Sequence, residues 1–142
     1  MHVFTYGTLM FPEVWNAVVG QQFAAVAGTA AGYAIYRVRD ARFPGIIAAE
    51  SRDSVRGVVY LDVDPCSLER LDRFEDDFYR RETLQVACDD GQQRAADAYV
   101  VPAENQAVLT DESWIADEFA ASGGLAEFIR RFQGFLRVGK RE

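Results

Sequence analysis

The chain has 142 residues, 49% of them hydrophobic and 26% charged, and it carries a net charge of −7. This length and composition are typical of one globular domain with a buried core, and they argue against disordered and fibrous proteins. The acidic balance argues against a nucleic-acid partner, because the phosphate backbone attracts basic surfaces. No run approaches the roughly 20 apolar residues of a membrane helix, and the first residues lack the pattern of a signal peptide. We expect a single cytoplasmic domain over residues 1–142, with no membrane partner.

The reactive side chains on which many enzymes depend are scarce. His2 is the only histidine, Lys140 is the only lysine, and Cys66 and Cys88 are the only cysteines. These counts disfavour a Ser-His-Asp or Cys-His site, a zinc site, and a catalytic or phosphate-binding lysine. A disulfide between the cysteines is an alternative, but we favour two small apolar side chains in a reducing compartment. An enzyme of this composition would work with carboxylates, tyrosines, hydroxyls and backbone amides, and we expect no metal and no other cofactor.

The first half of the chain is predicted to be mainly strand. Apolar and β-branched runs predict strands over 2–6, 24–38 and 55–63, and a short strand after Pro44-Gly45. Residues 24–38 are expected to form one long or one broken strand that bends at Gly28 and Gly32, and Gly57 is interpreted as a β-bulge. A helix is predicted from Pro12 to near Gly20, since proline suits the first turn and glycine the C-terminal end.

The second half begins with a helix and a hairpin. Asp64-Pro65 is typical of a helix start, and the helix is predicted from Pro65 to Glu75. The turn Asp89-Asp90-Gly91 separates strands predicted over 79–88 and 94–101, which would pair as a hairpin. Strands outnumber helices and do not alternate strictly with them, so the pattern predicts an α+β fold around a mixed, curled sheet.

The C-terminal segment, over about 111–137, is predicted to be helical. Two apolar stripes recur there at helical spacing, and Gly123-Gly124 separates them. We interpret the aromatic side chains of these stripes as core contacts rather than as a ligand-binding surface. The stripes are Trp114, Ile115, Glu118 and Phe119, followed by Leu125, Phe128, Ile129, Phe132 and Leu136.

The segment Tyr6-Gly7-Thr8-Leu9 is the first candidate binding segment. A glycine at a strand end lets the backbone approach a ligand closely, and the amides that follow can bind an anion. Because a side chain at Gly7 would occupy ligand space, Gly7→Val is expected to weaken binding more than it lowers stability. The alternative is a tight turn that leads into a helix and has no role in binding.

Glu75 is the candidate catalytic residue. The helical spacing places it on the face of Leu68 and Leu71, and at the negative end of the helix dipole, with three aspartates nearby. Partial burial, the dipole and like charges all raise the pKa of a carboxyl group, which suits it to proton transfer near neutral pH. The alternative is that the helix ends one residue earlier and Glu75 turns to water.

Three motifs together resemble a known family. They are Tyr6-Gly7-Thr8-Leu9, then Gly57-Val58-Val59-Tyr60, then Leu71-Asp72-Arg73-Phe74-Glu75 with Tyr79 and Arg81. In order and spacing they resemble the YG[ST] loop, the GxVY strand and the LDxxE…YxR segment of the γ-glutamylcyclotransferase superfamily. The branch that they resemble is the AIG2-like one, which includes γ-glutamylamine cyclotransferases. The resemblance covers residues 2–101; Asp76-Asp77 departs from it, since family members often carry a small residue after the glutamate.

The resemblance implies a small mixed β-barrel flanked by helices, with a cavity between the Tyr6–Leu9 loop and Glu75. It implies a metal-independent enzyme, of lyase or acyltransferase type, that releases 5-oxoproline from a γ-glutamyl amine or γ-glutamyl amino acid. The α-amine of the substrate would attack its own γ-carbonyl, and Glu75 would act as the general acid and base. The loop amides would hold the substrate, and Tyr79 would either orient the reacting groups or simply cap the barrel.

Two other interpretations remain open. In the first, the same cavity belongs to a non-catalytic binding module for a small carboxylated metabolite, and Glu75 is a hydrogen-bond acceptor. In the second, a related enzyme cyclises a γ-glutamyl group on an unusual carrier. Release of 5-oxoproline distinguishes the enzymes from the binding module.

Overall fold

The computed structural model describes residues 1–127 and 130, and these form a sheet of seven strands with helices packed against it. The α-helices are α1 (Pro12–Val19), α2 (Pro65–Phe74) and α3 (Ala116–Ala121), and 3₁₀ turns occupy Thr8–Met10 and Ala103–Val108. The strands are β1 (Val3–Thr5), β2 (Ala25–Ala31), β3 (Tyr33–Arg37), β4 (Pro44–Ala48), β5 (Ser54–Tyr60), β6 (Arg80–Cys88) and β7 (Gln93–Val100).

Five of the strands close into a barrel in the order β1-β5-β2-β6-β7, and a pairing of β1 with β7 completes the ring. That closing pair is parallel, at Val3↔Asp97, whereas the other pairs in the ring are antiparallel. The β3–β4 hairpin extends the sheet from β7 through the parallel contact Ile46↔Val100. The expected α+β fold, a small mixed β-barrel with flanking helices, is therefore confirmed.

The hydrophobic core has one part inside the barrel and one part beneath the helices. Along the barrel strands, side chains alternate between the interior and the outer face, as the period of two requires; Ala96, Ala98 and Val100 of β7 point inward. The second part lies between the barrel and helices α1 and α2, where Trp15 stacks on Tyr60 with ring centroids 3.7 Å apart. Burial of these faces holds α2 against the barrel, which places the end of that helix beside the end of β1.

Local sequence features position the C-terminal end of α1 and the N-terminal end of α2 as predicted. Gly20 ends α1 in the left-handed region with a φ of 76°, where glycine has no steric penalty. Asp64 caps α2: its carboxylate accepts hydrogen bonds from the Ser67 amide at 3.3 Å and the Ser67 hydroxyl at 2.6 Å. Pro65 occupies the first turn of α2, where its missing N–H costs nothing.

The interpretation of the glycines was correct in part. The strand predicted over 24–38 is broken rather than continuous: it breaks at Gly32, with a φ of 85°, while Gly28 lies inside β2 and pairs in regular register. Gly57 is not a bulge, because its pairing with Gly28 belongs to an unbroken ladder from Ala31↔Ser54 to Ala25↔Tyr60. The glycine is required by close approach instead: a Cβ at Gly57 would lie 2.1 Å from the Thr5 carbonyl oxygen.

The C-terminal prediction was correct only in part. Helix α3 begins at Ala116, so Trp114 and Ile115 precede it, and Ile115 is 49% exposed rather than part of an apolar stripe. Trp114 and Phe119 are buried. The predicted stripe positions Phe128, Ile129, Phe132 and Leu136, and also Lys140, lie outside the described residues.

Two other expectations concern the cysteines and the membrane. Cys66 and Cys88 are free thiols; Cys88 is buried, but Cys66 is exposed at the start of α2. Within the described part of the chain, no helix is long and apolar enough to cross a membrane.

Candidate active site

A cavity of about 800 Å³ opens where the end of β1, the end of α2, the β3–β4 connection and α3 meet. It contains every residue that the sequence singled out for the site. Its lining is Phe4, Thr5, Tyr6, Gly7, Thr8, Leu9, Arg37, Asp40, Ala41, Arg42, Phe43, Pro44, Arg73, Phe74, Glu75, Asp76, Asp77, Tyr79, Tyr99, Phe119, Gly124 and Glu127.

The Tyr6–Leu9 loop forms one wall of the cavity. A single 3₁₀ turn follows Gly7, closed by a hydrogen bond from the Met10 amide to the Gly7 carbonyl at 3.0 Å. The first amides of such a turn have no partner inside it. Over residues 1–127, none of the amides of Gly7, Thr8 and Leu9 donates a hydrogen bond to a backbone or side-chain acceptor. The loop is therefore a tight turn, and it also offers three consecutive donors to a ligand.

Glu75 stands directly after the last residue of α2. Its amide still donates to the Leu71 carbonyl at 3.1 Å, but its ψ of 146° turns the chain out of the helix. The helix thus ends one residue earlier than predicted. Glu75 nevertheless does not turn to bulk water: it is partly buried and lines the cavity. Its carboxyl group makes no hydrogen bond or ion pair with any side chain or amide that the structure describes, so it is free to act on a ligand.

The surroundings of Glu75 shift the ionisation of its carboxyl group from acidic pH toward the neutral range. Burial, followed by the negative charges of Asp76 and Asp72, raises the pKa of Glu75 from 4.5 to about 8. Removing a carboxylate from water and adding like charges both destabilise its ionised form. A group with this pKa can release and accept a proton at physiological pH.

Tyr6, Tyr79 and Tyr99 line the cavity together with Glu75, and each donates its hydroxyl proton to another residue. Tyr6 donates to the Tyr99 carbonyl at 2.6 Å, and Tyr79 donates to the Pro44 carbonyl at 2.5 Å. Burial first, and then nearby negative groups including Glu75, raise the pKa of both Tyr6 and Tyr79 well above 10.0, so both stay neutral. Tyr79 therefore fixes the first residue of β4 at the cavity wall, and its oxygen retains only acceptor capacity for a ligand.

Several lining residues were missed by the sequence analysis because they come from segments without a motif. The connection between β3 and β4 contributes Arg42 and Phe43, and the first residue of β4 contributes Pro44. The C-terminal part of the chain contributes Phe119 and Glu127. Long-range contacts bring these segments together: the Trp114 indole donates to the Arg42 carbonyl at 2.7 Å, and Arg42 pairs with Glu127 at 2.6 Å. No local pattern could have revealed them.

The three arginines at the cavity are already paired with carboxylates. Arg37 pairs with Glu112 at 3.0 Å, Arg42 with Glu127 at 2.6 Å, and Arg73 with Glu69 at 2.5 Å. The lining also includes the acidic residues Asp40, Glu75, Asp76 and Asp77. The described lining therefore has more negative than positive charge.

The structure changes what we expect of Gly7→Val. A Cβ at Gly7 would lie 2.8 Å from Cγ and 3.0 Å from Cδ of Pro44, so the added side chain meets the protein before it meets a ligand. We now expect the substitution to lower stability as well as binding, by about 1–3 kcal/mol for an overpacked contact. Thermal unfolding and ligand titration of the variant, beside those of Gly7→Ala, measure both effects. Unchanged stability and affinity would contradict the close packing.

A metal site is a separate question. Among the described residues, no group of three or more His, Cys, Asp or Glu side chains is arranged to hold a metal ion.

Comparison with known proteins gives the family. The family model described as "Gamma-glutamyl cyclotransferase, AIG2-like" matches residues 3–116. The chain belongs to this AIG2-like γ-glutamyl cyclotransferase family. It is 30% identical over 95 residues to AIG2-like protein A of Arabidopsis thaliana, which covers 67% of this chain and 57% of that protein. It is also 27% identical over 140 residues to Protein AIG2 C of the same plant, covering 98% and 83%.

The matches to AIG2-like proteins A and D span only 57% and 59% of the length of those relatives. Solved structures share the fold. A solution structure from Arabidopsis thaliana has a TM-score of 0.71 at 24% identity, covering 98% of this chain and 83% of that one. A yeast γ-glutamyl cyclotransferase described as specific to glutathione has a TM-score of 0.59 at 15% identity, covering 80% and 73%.

Proposed function

We propose that the protein is a γ-glutamyl cyclotransferase that converts a γ-glutamyl amine or γ-glutamyl amino acid to 5-oxoproline and the free amine. The observation that carries this proposal is the Glu75 carboxyl group. It lines the cavity without a partner among the described residues, and its pKa is raised to about 8. The Tyr6–Leu9 loop, which lines the same cavity, has unpaired amides. A proton carrier and an anion-binding loop are the two elements that such a cyclisation requires.

The proposed reaction is an intramolecular acyl transfer. The α-amine nitrogen of the substrate attacks the γ-carbonyl carbon and forms the C–N bond of a five-membered lactam. The attacking nitrogen loses one proton before the attack and a second one as the lactam forms. The bond from that carbon to the original amide nitrogen breaks, and the leaving amine takes up both protons and departs as an ammonium ion. Because nucleophile and carbonyl belong to one molecule, holding the substrate folded supplies a large part of the rate. No nucleophilic side chain is needed.

Glu75 is proposed to carry the proton between the two nitrogens. An α-ammonium group, with an ordinary pKa of about 7.7–8.0, must lose a proton before it attacks. A carboxylate whose own pKa is about 8 is matched to that proton, so the transfer costs little free energy. The same carboxylic acid then protonates the departing nitrogen, which prevents expulsion of an unstable anion.

The Tyr6–Leu9 loop is proposed to bind the negative groups of the substrate. The amides of Gly7, Thr8 and Leu9 can hold the substrate carboxylate or the oxyanion that develops on the γ-carbonyl oxygen. The hydroxyl of Tyr6 is hydrogen-bonded to the Tyr99 carbonyl, and the hydroxyl of Tyr79 to the Pro44 carbonyl. These bonds fix the orientation of both rings at the cavity wall. Rigid walls reduce the ordering that must accompany binding.

The experiment that tests this function measures 5-oxoproline release by the purified protein. γ-Glutamyl amines, γ-glutamyl amino acids and glutathione are supplied separately, with and without a chelator, and saturable release that persists in the chelator supports the proposal. Loss of turnover after chelation, restored by one divalent ion, would overturn the metal-independent mechanism. Saturable binding of these compounds without any 5-oxoproline would instead identify a binding module.

The charge balance of the cavity gives an expectation for substrate preference. The loop amides can accommodate one carboxylate, but the arginines of the described lining are already paired with glutamates. A second carboxylate on the leaving group would face Asp76 and Asp77 without a matching cation, and like charges disfavour binding. We therefore expect a higher kcat/KM for a γ-glutamyl amine with a neutral or cationic leaving group than for a γ-glutamyl amino acid of similar size. Equal values at low ionic strength would contradict this expectation.

A further inference from the structure

A ladder of polar side chains lies on the outer face of the barrel under α2, and the proton chemistry proposed above makes no use of it. Arg81 and Tyr99 are direct partners across β6 and β7, and Thr83 and Asp97 are the next pair on the same face. The Thr83 hydroxyl donates to Asp97 at 2.8 Å, and Arg81 lies 3.6 Å from the other Asp97 oxygen. The ladder therefore has an ordered end, at Arg81 and Tyr99, that faces the helix.

Asp72 of α2 is held by that end of the ladder. The Tyr99 hydroxyl donates to Oδ1 of Asp72 at 2.6 Å, and Nη1 of Arg81 lies 3.5 Å from Oδ2. Tyr99 is buried, with 6% of its surface exposed, so its hydroxyl has little access to water as an alternative partner. A short hydrogen bond to a charged acceptor from a buried donor is strong and directional. It fixes the last turn of α2 on the barrel.

Tyr99 also contacts the opposite half of the site. Its carbonyl oxygen accepts the hydrogen bond from the Tyr6 hydroxyl at 2.6 Å, and Tyr6 begins the loop that carries the free amides. One residue thus joins the amide loop through its backbone and the end of α2 through its side chain. Asp72 lies in the last turn of α2, and Glu75, three residues later, is the residue that caps that turn, so the two carboxyl groups are about one helical turn apart along the chain.

We propose that Tyr99 and Asp72 form a positioning unit for Glu75, in which Tyr99 acts on the glutamate only through the Asp72 carboxylate that it holds. The inference rests on the proposed role of Glu75. Tyr99 partly neutralises the Asp72 charge by its hydrogen bond and keeps that charge at a constant distance from Glu75. The remaining repulsion between the two carboxyl groups favours the protonated form of Glu75.

Other charges also act on Glu75 and must stay constant in a test. From the end of α2, Asp76 raises the pKa of Glu75 directly, and from the barrel side Arg81 faces the Tyr99–Asp72 pair. The tyrosines that face Glu75 are Tyr6, Tyr79 and Tyr99. The remaining charged groups of the described cavity lining are Arg37, Asp40, Arg42, Arg73, Asp77 and Glu127.

The test follows the titration of the Glu75 carboxyl carbon by NMR in the full chain, which requires no turnover. Asp72→Asn removes a repelling charge, so we expect the pKa of Glu75 to fall by roughly half a unit or more. Tyr99→Phe removes only the hydroxyl that neutralises Asp72, so we expect the pKa of Glu75 to rise. In the double variant, Tyr99→Phe should add no further change to Asp72→Asn.

Matched controls separate this effect from general disturbance. Tyr33→Phe removes a tyrosine hydroxyl from β3, and Asp89→Asn removes an exposed aspartate that pairs with Arg56 in another part of the fold. Neither control should move the Glu75 titration. Two outcomes would overturn the proposal. The first is an unchanged Glu75 titration in Asp72→Asn. The second is a shift of the Glu75 pKa by Tyr99→Phe that is equally large in the parent background and in the Asp72→Asn background. Absence of 5-oxoproline release from the parent would overturn the proposed function alone, since the titration is measured independently.

Discussion

Glu75→Gln is expected to lower the turnover of 5-oxoproline formation by a factor on the order of 10² or more. Glutamine keeps the volume and some hydrogen bonding of the side chain, but it cannot accept a proton from the substrate amine. General acid–base groups contribute typically about 10²–10⁴-fold. The measurement is kcat for the parent and the variant, with Glu50→Gln as control, because Glu50 is an exposed glutamate that pairs with Arg52 outside the cavity lining. A fully active, normally folded Gln variant would assign the proton transfer to another residue.

The same substitution has an expected signature in stability against pH. The carboxyl group has an ordinary pKa of 4.5, and the folded protein raises it to about 8. Between these values the unfolded chain releases the proton while the folded protein retains it. The contribution of Glu75 to stability is therefore full below about pH 4.5 and is lost as the pH rises to about 8. Glutamine has no such titration, so the variant should gain stability relative to the parent over this range, and equal profiles would contradict the raised pKa.

Gly57→Ala is expected to have the largest effect on stability. The new Cβ would lie 2.1 Å from the Thr5 carbonyl oxygen and 2.8 Å from the Phe4 ring. The nearest atom belongs to the backbone of the neighbouring strand, which cannot move without disturbing the β1–β5 pairs. We expect a loss of about 3 kcal/mol or more, at the upper end of the range for overpacking. Chemical denaturation measures it, or the yield of folded protein if the variant does not fold.

Gly32→Ala is the matched control for Gly57→Ala. A Cβ at Gly32 would meet nothing within 4 Å, so only the positive φ of 85° opposes it. Such backbone strain costs roughly 1–2 kcal/mol for a residue with a side chain. Gly57→Ala should therefore lower the free energy of unfolding clearly more than Gly32→Ala does. Equal losses would mean that the β1–β5 contact relaxes more easily than the close approach indicates.

Much of the local structure could be predicted from the sequence because the responsible interactions act within a few residues. The Asp64–Ser67 cap and Gly20 set ends of α2 and α1, and the turn after Cys88 sets the hairpin of β6 and β7. The three motifs likewise predicted that Glu75 and the Tyr6–Leu9 loop lie at one cavity, as they do. Local patterns were less informative at Gly57, since the contact that requires a glycine comes from another strand.

By itself the sequence determined which side chains are available for chemistry, the order of most strands and helices, and the α+β class. These follow from composition, periodicity and the backbone preferences of glycine and proline. Only the tertiary structure decided that Val3 pairs with Asp97 to close the barrel, and that Arg42 and Phe119 help to line the cavity. It also decided that Glu75 leaves the helix yet remains in the cavity with a pKa of about 8. Each of these features depends on atoms that are distant along the chain, and the burial of the shared core brings them together.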